Sequence, residues 1–133
     1  MFVDASAIVA IVTSEPDADA LADAVDGARS AITSPIAVFE AAMAVCRKQR
    51  GSLAQAREDV AVFLDAAGVV TVSVTGRDAE IALDAATRYG KERGHPAQLN
   101  MGDCFAYAVA TTHGKALLFK GEDFSKTDIR SAI

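Results

Sequence analysis

The chain has no tryptophan and only two tyrosines, two histidines, two cysteines and three prolines in 133 residues. Two cysteines make no disulfide framework. Cys46 and Cys104 lie in apolar runs without metal-ligand spacing. They read as small, reduced core residues, which makes cytoplasm the expected compartment. His95 and His113 adjoin Pro96 and Gly114 in loop-like surroundings, and His113 reads as a helix C-terminal residue. The opening "MFVD" lacks a basic segment, so no signal peptide is expected. No apolar run is long enough to span a bilayer, so no membrane association is expected. Positive charge is also short. A net charge of −5 argues against holding nucleic acid by bulk attraction. Two local basic patches remain: Arg47, Lys48 and Arg50, and Arg88, Lys91 and Arg93. Both read first as helix C-termini, where cations favour the dipole. There is no G-x-S-x-G, no G-x-x-x-x-G-K-[ST] and no G-x-G-x-x-G.

What is present is apolar: 51% of residues are hydrophobic, enough for a sizeable core in one domain spanning residues 1–133. "MFVD", "RSAIT", "VVTVSV" and "KALLFK" read as strands, "VVTVSV" most clearly because it is rich in β-branched residues. Between them run helical stretches. These are "ASAIVAIVTSE", "DADALADAVDG" ending at Gly27, residues 34–50, "LAQAREDVAVFLDAAG" closed by Gly68, and a long "TGRDAEIALDAATRYGKERG" capped by Thr75. "HPAQL" is a loop, "GDCFAYAVATTHG" another apolar helix, and "GEDFSKTD" a turn. Near-pure apolar strands alternating with helices predict an α/β fold: a central parallel β-sheet flanked by helices on both faces. Ligands of such sheets bind beyond the carboxyl ends of the strands.

Four acidic residues fall at that end. From Pro35 to Cys46 every residue is apolar except Glu40. Ser34 and Pro35 start that helix, and a helix apolar on all sides is expected to be buried. A lone buried carboxylate is costly unless it is paired or binds a metal. Asp4 follows the first strand and Asp123 the last; Asp103 opens the helix "CFAYAVATT". Each has a plainer role available. Asp4 can cap the next helix, Asp103 can form a capping box with Asn100, and Asp123 suits a turn. Glu40 caps nothing. Four ionised carboxylates cannot share a dry pocket without protons or a cation. Oxygen ligands without His or Cys favour Mg²⁺ or Mn²⁺ over zinc. Such an ion suits phosphate chemistry, because it activates water and offsets phosphoryl charge.

The stretches "FVDASAIVAI", "SPIAVFEAAMAV", "NMGDCFAYAVA" and "LLFKGEDFSKTDI" resemble, in order and spacing, the PIN-domain ribonucleases, specifically the VapC-type toxins of toxin–antitoxin pairs. The resemblance puts Asp4, Glu40, Asp103 and Asp123 at the family's acidic, catalytic and metal-binding positions. Ser6 takes the supporting hydroxyl position, and Asp123 rather than its neighbour Glu122 takes the fourth acidic one. It implies a PIN-like fold and an Mg²⁺- or Mn²⁺-dependent endoribonuclease acting on tRNA, rRNA or mRNA. It also implies a homodimer or toxin–antitoxin hetero-oligomer and a VapB-type antitoxin, often inserting a basic side chain into the acidic site.

Rival readings fit less well. A haloacid-dehalogenase-like phosphatase needs Asp-x-Asp after the first strand, and position 6 is serine. A receiver domain needs an aspartate after its third strand, and "VVTVSVTG" ends without one. A binding module that has lost its activity would be marked by loss of an acidic residue, and none is missing.

Overall fold

The computed structural model describes residues 1–133. Four short strands form one parallel sheet in the order β3-β2-β1-β4: β1 (Phe2–Val3), β2 (Ile32–Thr33), β3 (Val70–Thr71) and β4 (Leu117–Leu118). Phe2 pairs with Ile32 and with Leu117, and Ile32 with Val70. Six α-helices connect them: α1 (Ala5–Val12), α2 (Ala18–Asp26), α3 (Pro35–Gln49), α4 (Leu53–Ala66), α5 (Gly76–Tyr89) and α6 (Met101–Thr112). Successive strand residues point to opposite faces. Phe2 and Leu117 therefore enter a core with α5 and α6, while Val3 and Leu118 enter a second core with α1, α2, α3 and α4. Helices cover both faces, as the alternating pattern predicts.

The helix starts follow local chemistry. The Ser34 hydroxyl accepts from Ala37 N at 3.1 Å, with Pro35 in the first turn. Thr75 and Asp78 form a complete capping box, and Thr112 at the end of α6 donates to Asp78 at 2.6 Å. The chain's last residues return to the sheet: Leu117 N donates to Arg130 O and Ala132 N to Leu117 O, both at 2.9 Å.

Three elements differ from the sequence expectation. "VVTVSV" yields only Val70–Thr71, because its partner β2 stops at Thr33 where Ser34 and Pro35 turn into α3. Val72 and Val74 pack against the core without pairing as strand. The long helix ends at Tyr89, earlier than predicted. Gly90 is extended at φ −66° and ψ 147°, and a Cβ there would lie 2.3 Å from Ala86 O. A short 3-10 turn over Lys91–Arg93 follows. Finally, α3 is not buried all round: Phe39 is 67% exposed, and Glu40 is half-buried. Cys104 is a core residue as expected, whereas Cys46 is only partly buried, its thiol 3.3 Å from Gly51 O.

Candidate active site

Asp4 leaves the carboxyl end of the central strand β1 and is 4% exposed. It caps α1: both the Ser6 amide (3.0 Å) and the Ser6 hydroxyl (2.6 Å) donate to its Oδ2. Ser6 Oγ in turn accepts the Lys120 backbone N–H at 3.0 Å, which ties the end of β4 to the same hydroxyl. Asp103 sits in the first turn of α6. Its Oδ2 accepts from Asn100 N at 3.1 Å while its own N–H donates to Asn100 Oδ1 at 2.9 Å, a complete capping box. The plainer roles of Asp4 and Asp103 are thus real. Each uses only Oδ2, so capping and a second task at Oδ1 are compatible.

Glu40 reaches the same place from α3. Asp4, Ser6, Glu40 and Asp103 line one cleft of about 450 Å³, together with Glu15, Arg47 and Lys120. No ion pair of the protein includes Asp4, Glu40 or Asp103. The cost of crowding them shows in their acidity. Burial, then the charges of Asp4 and Asp103, raise Glu40 to about 7. Burial and the charges of Asp4 and Asp123 raise Asp103 to about 6. Burial pushes Asp4 up as well, against its Ser6 hydrogen bonds.

Asp123 stands apart. It is exposed, heads the 3-10 turn Phe124–Lys126 without a capping hydrogen bond, and does not line the cleft, although its charge reaches Asp103. Glu122 differs from it physically: Ser125 Oγ donates to its carboxylate at 3.2 Å and to its backbone carbonyl at 2.5 Å.

Sequence reasoning missed Gly102. A Cβ on this residue would lie 2.0 Å from Glu40 Oε2 and 2.3 Å from Oε1 and Cδ. The Glu40 carboxylate therefore occupies the space a side chain would fill. The available signal was a glycine in the first turn of a helix, beside an acidic residue. Also missed was Glu15, which pairs with Lys48 and Lys120. The basic patches do sit at helix ends, but Arg47 also lines the cleft, and Arg88 hydrogen-bonds Asp128 and Tyr89.

The donor set fits a hard, hydrated cation. All donors are oxygens, and no group of three His, Cys, Asp or Glu side chains stands close enough to enclose an ion unaided. Mg²⁺ keeps several waters and takes one or two carboxylates in preference to a closed protein cage. Carboxylates that repel one another across an open cleft match that habit.

The raised pKa values make a prediction for the metal-free protein. Between about pH 4 and pH 7 the folded chain holds protons on Glu40 and Asp103 that the unfolded chain releases. That stability is present below the window and is lost as pH rises through it. Asp78 and Asp128, whose pKa values are held below the usual carboxylate range, titrate beneath the window, and only the Met1 amino group, lowered by burial, opposes the trend near its upper end. Glu40 is half exposed and partly screened. Melting in EDTA should show Tm falling by about 3–6 °C from roughly pH 5 to pH 8. A rising Tm over that interval would contradict the repulsion.

Comparison with known proteins places the chain. The PIN domain family matches residues 1–130. A VapC ribonuclease of Rhizobium meliloti is 42% identical over 96% of this chain and 98% of its own. Ribonuclease VapC of Mycolicibacterium smegmatis is 43% identical, with 97% of each chain covered. Among solved structures, Mycobacterium tuberculosis VapC20, described as a sarcin-ricin loop cleaving toxin, superposes with a TM-score of 0.77. It is 21% identical, with 96% of this chain and 95% of that one covered. A parallel sheet with acidic side chains gathered at its carboxyl end, full-length likeness to VapC ribonucleases and the domain match agree: the chain belongs to the PIN-domain family, among its VapC members.

Proposed function

We propose that the protein is a divalent-metal-dependent endoribonuclease. The observation that carries this is the cleft in which Asp4, Glu40 and Asp103 meet with no protein cation among their partners. Asp4 and Asp103 would hold the ion through the oxygens their caps leave free, with Glu40 and, from the outer side, Asp123 adding negative charge around it. When bound, Mg²⁺ or Mn²⁺ supplies a polarised water and offsets charge on the phosphoryl oxygens. Ser6 fixes the Asp4 carboxylate by its 2.6 Å hydrogen bond. Glu40, kept clear of backbone by Gly102, is the group placed to take a proton from attacking water at its carboxylate. The substrate class we propose is RNA of the translation machinery, such as tRNA, rRNA or mRNA.

RNA cleavage should require Mg²⁺ or Mn²⁺ and fall to background in EDTA. Undiminished cleavage in excess chelator would overturn the reading. We further propose a homodimer or a toxin–antitoxin hetero-oligomer with a VapB-type antitoxin. An arginine from such a partner would suit the cleft, because its planar fork matches carboxylates bidentately. A cytoplasmic setting accords with two free thiols, and no helix is long and apolar enough to cross a membrane.

A further inference from the structure

The acidic cleft has a cationic wall. Lys120, just beyond β4, lines it, and Lys48, in the last turn of α3, adjoins it through Glu15, to which both lysines bond. Glu15 takes Lys48 on Oε1 and Lys120 on Oε2. Lys120 also reaches Asp17 at 3.0 Å. The anion lies inside and the cations outside: the Glu15 side chain is 17% exposed, against 45% for Lys48 and 39% for Lys120. Arg47, one residue before Lys48, lines the same cleft and makes no ion pair.

A carboxylate bridging two ammonium groups presents two anionic oxygens, as a phosphodiester does. The location is also fixed relative to the carboxylates. The Lys120 backbone N–H donates to Ser6 Oγ, which donates to Asp4 Oδ2. A phosphate on this wall would therefore be held at a set distance from the acidic group. In a protein of net charge −5, the cations within the cleft are those able to hold a polyanion beside it.

We infer that Lys48, Lys120 and Arg47 form a subsite for an RNA phosphodiester next to the one cut, and that Glu15 occupies it as an internal competitor until RNA arrives. This rests on the nuclease reading. On binding, the strand's phosphate takes over the outer faces of both ammonium groups, and Arg47 adds a guanidinium that no carboxylate holds. The cost of loosening Glu15 is set against every strand that binds, so Glu15 lowers affinity without touching the reacting atoms.

The test combines steady-state cleavage of a fluorescent single-stranded oligoribonucleotide with anisotropy binding of the same probe over a salt series. Glu15→Gln keeps the shape but gives up the charge and one of the two acceptor oxygens, so at least one ammonium is released. It should lower KM and the dissociation constant by about 3–10-fold at low salt, with kcat unchanged. Lys120→Met and Lys48→Met should each weaken binding by about 3–10-fold and reduce the salt slope by about 0.7, the value for one phosphate contact on a single strand. Glu80→Gln makes the same charge change on α5, across the sheet, and should leave both constants unmoved. The inference is overturned if Glu15→Gln binds the probe no better, or if the lysine variants keep the wild-type salt slope. Should wild type cut no RNA, the nuclease reading fails. Anisotropy alone then judges the subsite, and unweakened binding by the lysine variants overturns it.

Discussion

Gly102→Ala should slow cleavage by about 10²-fold while leaving the fold as stable as before. The added Cβ would meet the Glu40 carboxylate at 2.0–2.3 Å, so one of the two must move. The cheaper movement is Glu40's, since its carboxylate ends a flexible, half-buried side chain whereas Gly102 is fixed in the first turn of α6. Stability should hold for two reasons. Alanine is better than glycine in a helix by about 0.8–1.0 kcal/mol, and swinging Glu40 outward separates it from Asp4 and Asp103. Activity should not hold, because a displacement of about 1 Å at a catalytic group costs about 10²-fold. Cleavage rates and Tm in EDTA, measured side by side, check both halves. A variant that cuts normally would remove Glu40 from the reaction, and a variant that unfolds would show that the contact supports the packing of α3 on α6.

The second large effect separates charge from capping. Asp4→Asn retains an oxygen for the Ser6 amide and hydroxyl, and Asp103→Asn retains one for Asn100 N. Both keep the cap and lose the charge. Cleavage should fall by about 10²–10³-fold, the scale on which one electrostatic contributor to a transition state is lost. Tm in EDTA should equal or exceed that of wild type, since burial and mutual repulsion already oppose ionisation of this group. Asp4→Ala should instead lose Tm, because a missing cap costs about 0.5–2 kcal/mol. If the asparagine variants cut at the wild-type rate, capping is the whole role of these residues.

The local parts of this site are legible in the sequence. Ser34–Pro35, Thr75 with Asp78 and Asn100 with Asp103 are helix starts written within a few residues, and the structure forms each of them. The alternation of apolar strands with helices fixes a parallel sheet, and with it the end at which Asp4, Glu40 and Asp103 gather. What the sequence hides is contact between distant elements. Nothing near Gly102 announces that a carboxylate from α3 will rest on it, and nothing near Glu15 announces lysines 33 and 105 residues away. "VVTVSV" pairs over only two residues for a related reason: a strand extends only as far as its neighbour, and Pro35 ends that neighbour.

The returning C-terminal residues carry a consequence for assembly. By hydrogen-bonding both the carbonyl and the amide of Leu117, Arg130 and Ala132 occupy the outer flank of β4, which would otherwise present free amide and carbonyl groups to another chain. The opposite flank is β3, two residues long. Strand addition between copies at β4 is thus closed by the chain itself. Most of the large apolar side chains open to solvent stand on helices instead: Phe39, Leu53, Val62, Leu83 and Met101.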